Sequence, residues 1–559
     1  MSTLARPVRA ESLAAFAEPV AGHRDPLAGA DSGETGAPLP AGGQPRSGAA
    51  YLASLRDERQ VYIQGQRVRD VTSHPALANA ARSIARLYDA LSDPKLGGLL
   101  TTTSDTPARR PTHAFFKASR SREELVRAGQ AIATWARLTY GWMGRSPDYK
   151  ASLTSTLGPN GAFYGPLEAN ARRWYSRAQD ELPFLGHAIA NAPVDRHLDT
   201  AQTKDVCVRV VGETSEGIRV RGAKVVATSA AIANACFVGH TPSTVSDDPE
   251  MSVSFIAPLS TPGVKLVCRA SYEHAASAAS SPFDHPLSSR FDENDCILIF
   301  DDALIPWEDV LIHRDPERVR RFFPESGFVN TFLFHGCTRF AVKLDFIAGL
   351  LSKALRCTGG HKHRGNKALL GEVVAWRHTF WSLARAMSHN PDAWVGGAVL
   401  PQKEAALAYC VLAPDCYPRL KDIVHRVIAS GLVYLPSTAA DLGHPDLREL
   451  MPTYMRGTEG IDHRQRTKIM KLLSDAVLSE FAGRHELYER NYSGGWEAIR
   501  LMVAGEAART GAIADLESLA DACMSDYDER GWTNDAWKTT NPTGVERCDP
   551  FRAQNGEAA

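Results

Sequence analysis

Apolar residues recur at helical spacing in the first and last parts of the chain and at every second position in between. Leu77, Ala81, Ile84 and Leu87 fall on one face of the segment from Pro75 to Leu91, which predicts an amphipathic helix. A short helix at Tyr51–Leu55 and a brief extended stretch at Val61–Ile63 and Val68 precede it. Ser121 and Glu124 have the spacing of a capping box and open a second helix that runs to Leu138. The segment from Ala162 to Ala178 reads as helix, with Tyr164, Trp174 and Tyr175 as core aromatics. Near Asp205 the period falls to two. Val206, Val208 and Val210, then Ile218 and Val220, flank a turn at Glu213–Gly217. Further strands are predicted at Val225–Thr228, Ser252–Ile256, Val264–Val267 and Cys296–Phe300. No helix of crossover length separates them, so the sheet should be largely antiparallel. Helical spacing returns after Glu317, at Phe340–Leu355, Lys367–His389, Tyr417–Leu435 and His463–Tyr488.

The pattern predicts an α+β protein in five parts. Residues 1–50, rich in Ala, Gly, Pro and Ser, form a disordered extension, and 51–199 a mainly helical N-terminal domain. Residues 200–316 form an antiparallel β domain, 317–536 a C-terminal helical bundle, and 537–559 a tail. The junction Tyr140-Gly-Trp-Met-Gly-Arg-Ser-Pro-Asp-Tyr149 links two of the predicted helices. Ser146 suits an N-cap, Pro147 the first helical position and Asp148 the first turn. Arg145 and Tyr149 flank that helix start, where they could hold an anion or a phenolic oxygen. The same residues also fit an ordinary capped helix whose arginine pairs with a carboxylate.

Composition narrows the class. With 559 residues, net charge -1, 44% apolar and 23% charged positions, the chain has no electrostatic footprint for nucleic acid or membrane. The first residues have no signal-peptide core and no window is long and apolar enough to span a bilayer, which predicts a cytoplasmic protein. The ten cysteines are scattered without a Cys-x-x-Cys, so they read as reduced, mostly buried thiols. His361 and His363 sit in a basic, Gly-flanked turn, and no metal is assigned to them. There is no G-x-G-x-x-G after a strand and no P-loop, so nothing points to a resident nicotinamide or nucleoside triphosphate domain.

Helical, then β, then helical order resembles the acyl-CoA dehydrogenase-like flavoprotein fold. Four blocks resemble one family more closely, the oxygenase component of two-component 4-hydroxyphenylacetate 3-monooxygenases. They are Tyr62–Val71, Tyr140–Tyr149, Ser280–Arg290 and Gly483–Tyr492, and the similarity runs from about Tyr51 to about Trp537. The resemblance implies that reduced FAD and O2 form a C4a-hydroperoxyflavin that hydroxylates a 4-substituted phenol ortho to its hydroxyl. The FAD would be supplied by a separate NAD(P)H-flavin reductase. It implies that Arg145, Tyr149 and His187 surround the phenolic oxygen and that Pro242 and Ser243 lie at the far end of the substrate. Flavin contacts are implied at His187, Ala188 and Ile189, at Pro193, Val194, Asp195 and Arg196, at Thr228, and at Gly495, Trp496, Glu497 and Ala498. A homotetramer built through the C-terminal helices is also implied. The substrate could be free and 4-hydroxyphenylacetate-like or tyrosine-like, or a tyrosyl-type group tethered to a carrier protein. An acyl-CoA dehydrogenase-like flavoprotein is the alternative from another class.

Overall fold

In the computed structural model, residues 43–195, 197–198, 201–279 and 281–537 are described. The expected extension (1–50) and tail (537–559) therefore fall almost entirely outside the described residues. Two compact units divide at Ser493/Gly494.

The first unit begins with Ser47, whose hydroxyl caps the helix Gly48–Ala53. The amphipathic segment forms the helix Ala78–Ala90, burying Ala81, Ile84 and Leu87, with Leu77 also buried as its N-cap. Ser121 caps Arg122–Leu138 by accepting from the Glu124 amide at 3.3 Å, while the Glu124 carboxylate accepts from the Arg120 amide at 2.7 Å. The single helix expected over 162–178 is instead a 3-10 segment, Gly161–Leu167, followed by Glu168–Glu181. Gly165 has φ 55° and Pro166 has no amide hydrogen to donate, so the α-helical ladder cannot pass through.

Two sheets fill the middle of the unit. The larger runs Gln66–Val68, Gln60–Ile63, Val264–Cys268, Asp295–Pro306, Gly217–Thr228, Ala190–Asn191, with Arg209–Glu213 forming the expected hairpin with Gly217–Thr228. The smaller runs Val310–Ile312, Ser254–Pro258, Ala235–Val238, Leu185–Ala188. Pairing is antiparallel except where Gln60–Ile63 meets Val264–Cys268 and Leu185–Ala188 meets Ala235–Val238. In both exceptions a strand arrives from the preceding, mainly helical part of the chain. Its long connection leaves it free to lie parallel, whereas a tight hairpin would force it antiparallel.

The helical part is more continuous than its periodicity suggests. Phe328–Cys357 starts well before Phe340, and Lys403–Ile428 passes through Pro414 and Pro418. The segment expected as one helix from His463 to Tyr488 is two, His463–Val477 and Glu480–Asn491, because the Ser479 hydroxyl accepts from the Ala482 amide and starts a new helix. Phe340 packs among Phe380 at 4.7 Å, Tyr417 at 6.2 Å and Tyr409 at 6.4 Å between ring centroids, in the centre of this bundle. Fully burying each such ring contributes roughly 2–3 kcal/mol relative to water. No helix among the described residues is long and apolar enough to cross a membrane. Most of the described cysteines are buried and none is in a disulfide.

The second unit contains the helices Trp496–Arg509 and Ala512–Met524, joined at Gly511, and a small hairpin of Tyr527–Asp528 with Gly531–Trp532. Leu501, Leu516 and Leu519 are exposed on it.

Candidate active site

The junction at Tyr140 is a tight reversal. Tyr140 and Gly141 have φ 54° and 77°, and a Cβ on Gly141 would meet the Lys343 backbone at 2.7 Å. Ser146 then caps the helix Pro147–Leu157 with Pro147 in its first turn, as expected, but its hydroxyl donates to Asp148 Oδ1 at 2.5 Å rather than capping an amide. Asp148 turns inward to His335, 3.3 Å from its Nε2. Every residue of this helix is buried, so it shows no amphipathic pattern.

Of the two readings left open for Arg145, the carboxylate pair does not form among the described residues. Its backbone amide donates to Glu293 Oε1 at 2.5 Å, but the guanidinium lies among rings, 4.0 Å from the Tyr149 centroid, 5.0 Å from Tyr492 and 5.1 Å from Tyr488. Its Nε and Nη1 have no partner among the described residues. Tyr149 is buried, and His187, on the strand Leu185–Ala188, meets its ring edge-on at 5.5 Å. The chain thus brings Arg145, Tyr149 and His187 together. Burial, then the nearby Lys150 and Arg145, hold the His187 imidazole well below its ordinary range, and its Nδ1 has no partner among the described residues. Burial raises the Tyr149 phenol, and Arg145 partly opposes that rise.

Residues not singled out from the sequence complete the cage. Arg484, Tyr488 and Tyr492 follow one another at i, i+4 and i+8 from the helix Glu480–Asn491 and so share a face. Two glycines make room for the rings: a Cβ on Gly144 would lie 2.0 Å from the Tyr488 hydroxyl, and one on Gly336 2.3 Å from the Tyr492 ring. Behind the rings, Glu489 accepts from Arg339 at 2.5 and 2.7 Å and from Lys343 at 2.9 Å, in an ion triad that is fully buried. Lys150 is also buried beside Tyr149.

Of the expected flavin residues of the first unit, His187 and Ala188 lie on Leu185–Ala188 in the smaller sheet and Thr228 ends Gly217–Thr228 in the larger. Ala188 is buried and pairs with Val238, while Ala190 pairs with Val225 and Asn191 with Lys224. Beyond them Pro193, Val194 and Asp195 are exposed, and Arg196 lies outside the described residues. Beside Ile189 and Thr228, Val226 is exposed with φ 58°, an uncommon backbone for a β-branched residue, at a register shift in the pairing with Asp295–Pro306. Buried Lys224 donates to Asn191 Oδ1 at 2.7 Å, and burial lowers its amine to about 7. The Thr228 hydroxyl donates to Asp295 Oδ1 at 2.6 Å, and Arg484 grips that carboxylate at 2.7 and 2.9 Å. Arg484 also reaches Glu293 at 3.2 Å, so one charge network joins Thr228 to the amide of Arg145. Pro242 is exposed in a short 3-10 turn, Pro242–Thr244, that also contains Ser243. Gly495 precedes the helix Trp496–Arg509 in the second unit, where Trp496, Glu497 and Ala498 form its exposed first turn. The network described above lies entirely in the first unit.

Among the described residues, Arg145 and His187 both keep unpaired polar atoms beside the Tyr149 ring. That chemistry suits an aromatic guest with an oxygen that becomes anionic. Exposed Val226 offers apolar surface to a flat, largely apolar ring system.

Family models match two stretches of the chain, 4-hydroxyphenylacetate 3-hydroxylase N terminal over residues 47–312 and C terminal over 319–521. The chain is 54% identical over 510 residues to a 4-hydroxyphenylacetate 3-monooxygenase oxygenase component of Pseudomonas aeruginosa, covering 91% of this chain and 98% of that one. It is 48% identical over 493 residues to a Streptomyces globisporus monooxygenase of a carrier-protein-bound (3S)-3-amino-3-(3-chloro-4-hydroxyphenyl)propanoyl group, covering 88% and 93%. Among solved structures, a 4-hydroxyphenylacetate 3-monooxygenase oxygenase component complexed with FAD and 4-hydroxyphenylacetate superposes with TM-score 0.79 at 28% identity, covering 85% of this chain and 99% of that one.

Proposed function

Because the chain belongs to the 4-hydroxyphenylacetate 3-hydroxylase family, we propose that it is the oxygenase component of a two-component monooxygenase that converts a 4-substituted phenol to a catechol. The observation that carries the reading is the Arg145 guanidinium, held by tyrosine rings instead of a carboxylate and left with two unpaired donors. In this reading Arg145 and Tyr149 bond the phenolic oxygen and His187 fixes its direction, so the ring carbon beside it is both oriented and electron-rich. Reduced FAD, with O2, supplies the oxygen atom when bound. Ala188, Ile189, Pro193, Val194, Asp195, Arg196 and Thr228 would hold the flavin. The orphaned polar atoms at Arg145 and His187 and the apolar edge at Val226 are compatible with that pair of guests.

A separate NAD(P)H-flavin reductase would deliver the reduced FAD by diffusion. The substrate is a free 4-hydroxyphenylacetate-like phenol, with Pro242 and Ser243 toward its tail. A carrier-tethered tyrosyl-type phenol is the second reading, favoured by the relative that acts on one. Exposed Leu501, Leu516 and Leu519 support assembly through the C-terminal helices into a tetramer. In this reading the protein is cytoplasmic and its parts are residues 51–199, 200–316 and 317–536. The reading is tested by supplying a flavin reductase and measuring catechol formed per O2 consumed. Arg145→Ala, Tyr149→Phe and His187→Ala should each lower that ratio, and three unchanged ratios would reject the site.

A further inference from the structure

Lys150 directly follows Tyr149 in the helix Pro147–Leu157. Its side chain is fully buried, and its Nζ has no hydrogen-bond partner among the described residues. The Nζ lies 4.3 Å from the Phe328 ring centroid, 4.6 Å from that of Tyr149 and 5.4 Å from that of Phe237. The polar groups around it come from three elements. Arg145 and Tyr149 lie at the start of its own helix, His187 on the strand Leu185–Ala188 and Cys236 on Ala235–Val238. No carboxylate is among them to hold an ammonium. A buried lysine without a counter-charge is an expensive feature unless a guest provides one.

We infer that Lys150 is the base that receives the substrate's phenolic proton, an inference that rests on Arg145, Tyr149 and His187 being the phenol site. Burial first, and Arg145 next, hold its amine well below the ordinary lysine range, so it waits with a free lone pair. Phenol and alkylammonium have ordinary pKa values of about 10 and 10.4, so proton transfer between them starts nearly balanced. Inside the site, transfer creates a phenolate and an ammonium that become each other's counter-ion, and Arg145 meets the same phenolate with its unpaired Nε and Nη1. His187 is a poorer base, because an imidazole starts about 4 pKa units below an amine and burial and Arg145 lower it further. In the step the phenolic O–H bond breaks, its electron pair stays on oxygen and an Nζ–H bond forms. After oxygen transfer, the ammonium returns that proton to the catecholate.

The test uses the FAD-loaded enzyme and 4-nitrophenol, whose ionised form is coloured. Bound to the wild type, the probe should be ionised well below its solution midpoint without releasing a proton to buffer. Lys150→Met should raise that midpoint by about one pH unit or more, a tenfold change in the ionisation equilibrium, and shift the pH profile of hydroxylation the same way. Lys150→Arg, a fixed cation, should keep the probe ionised but release one proton to the buffer. If Lys150→Met titrates the probe as the wild type does, or Lys150→Arg releases no proton, the lysine is not the base while the phenol site stands. If the wild type does not bind the probe at all, the phenol site itself fails and the inference with it.

Discussion

Replacing Glu489 with glutamine removes one negative charge from between Arg339 and Lys343 while keeping nearly the same shape. Burial pushes the Glu489 carboxyl up, but Arg339 and Lys343 outweigh it and bring it to about 2 from an ordinary 4.5. A gap of about 2.5 units corresponds to about 3 kcal/mol, at about 1.4 kcal/mol per unit. Breaking a buried ion pair by removing one partner costs about 3–5 kcal/mol, so the two routes agree. We expect Glu489→Gln to destabilise the first unit by that order at pH 7, read by denaturant titration or pulse proteolysis. The folded value is the lower one, so the contribution is complete above about pH 4.5 and fades as pH falls toward about 2, closing the gap between wild type and variant. Removing a stranded cation as well should help, so Glu489→Gln/Lys343→Met should be more stable than Glu489→Gln alone. A loss below about 1 kcal/mol at pH 7, the size of an exposed ion pair, or no recovery in the double variant, would refute the argument.

Lys150→Met should be more stable than the wild type. The folded amine is depressed, so the wild type bears a cost that vanishes near the unfolded value and grows by about 1.4 kcal/mol for each unit of pH below it until the folded value is reached; unfolding free energies at pH 9 and pH 8 measure the difference. Gly144→Ala should displace Tyr488 from Arg145, since the new Cβ would lie 2.0 Å from its hydroxyl; coupled hydroxylation should fall about tenfold or more, while a variant with wild-type coupling would mean that Tyr488 has no part in the site. Arg145→Lys keeps the charge but not the planar donor set, and should cost about 10²-fold in hydroxylation with FAD affinity unchanged by fluorescence titration. Asp295→Asn should loosen both Thr228 and Arg484, so flavin affinity and phenol coupling should fall together; a change in only one would break the proposed link.

The start of the helix at Pro147 could be read from three consecutive residues because capping is local chemistry. The start of the helix at Phe328 could not. Phe328–Leu344 is buried on every side, so polar and apolar positions do not alternate around it and periodicity has nothing to detect. The parallel pairings of Gln60–Ile63 and Leu185–Ala188 were hidden for another reason: a strand's partner at long sequence separation leaves no trace in its own alternation. For the site, Arg145 and Tyr149 stood out because they flank a helix start, and His187 because of the family resemblance. Lys150, Glu293 and Asp295 did not, since a charge next to a tyrosine or in an acidic run reads as solvated until burial is known.

The helix Glu480–Asn491 lies between these extremes. Its sequence spaces Arg484, Tyr488 and Tyr492 by four, and His485 and Glu489 by four, and the helix puts both rows on one face, which the expected helix end at Tyr488 cut short. That face joins three tasks through direct contacts. Arg484 fixes Asp295 and Glu293, Tyr488 and Tyr492 flank Arg145, and Glu489 neutralises Arg339 and Lys343 behind them. A charged face of this kind is costly to bury unless every member has a partner. Here the partners are the groups that set the shape of the phenol site, so packing of the C-terminal bundle and orientation of Arg145 depend on the same side chains. Glu489→Gln should therefore lower catechol yield per O2 in protein that remains folded, and a destabilised but fully coupled variant would separate the two.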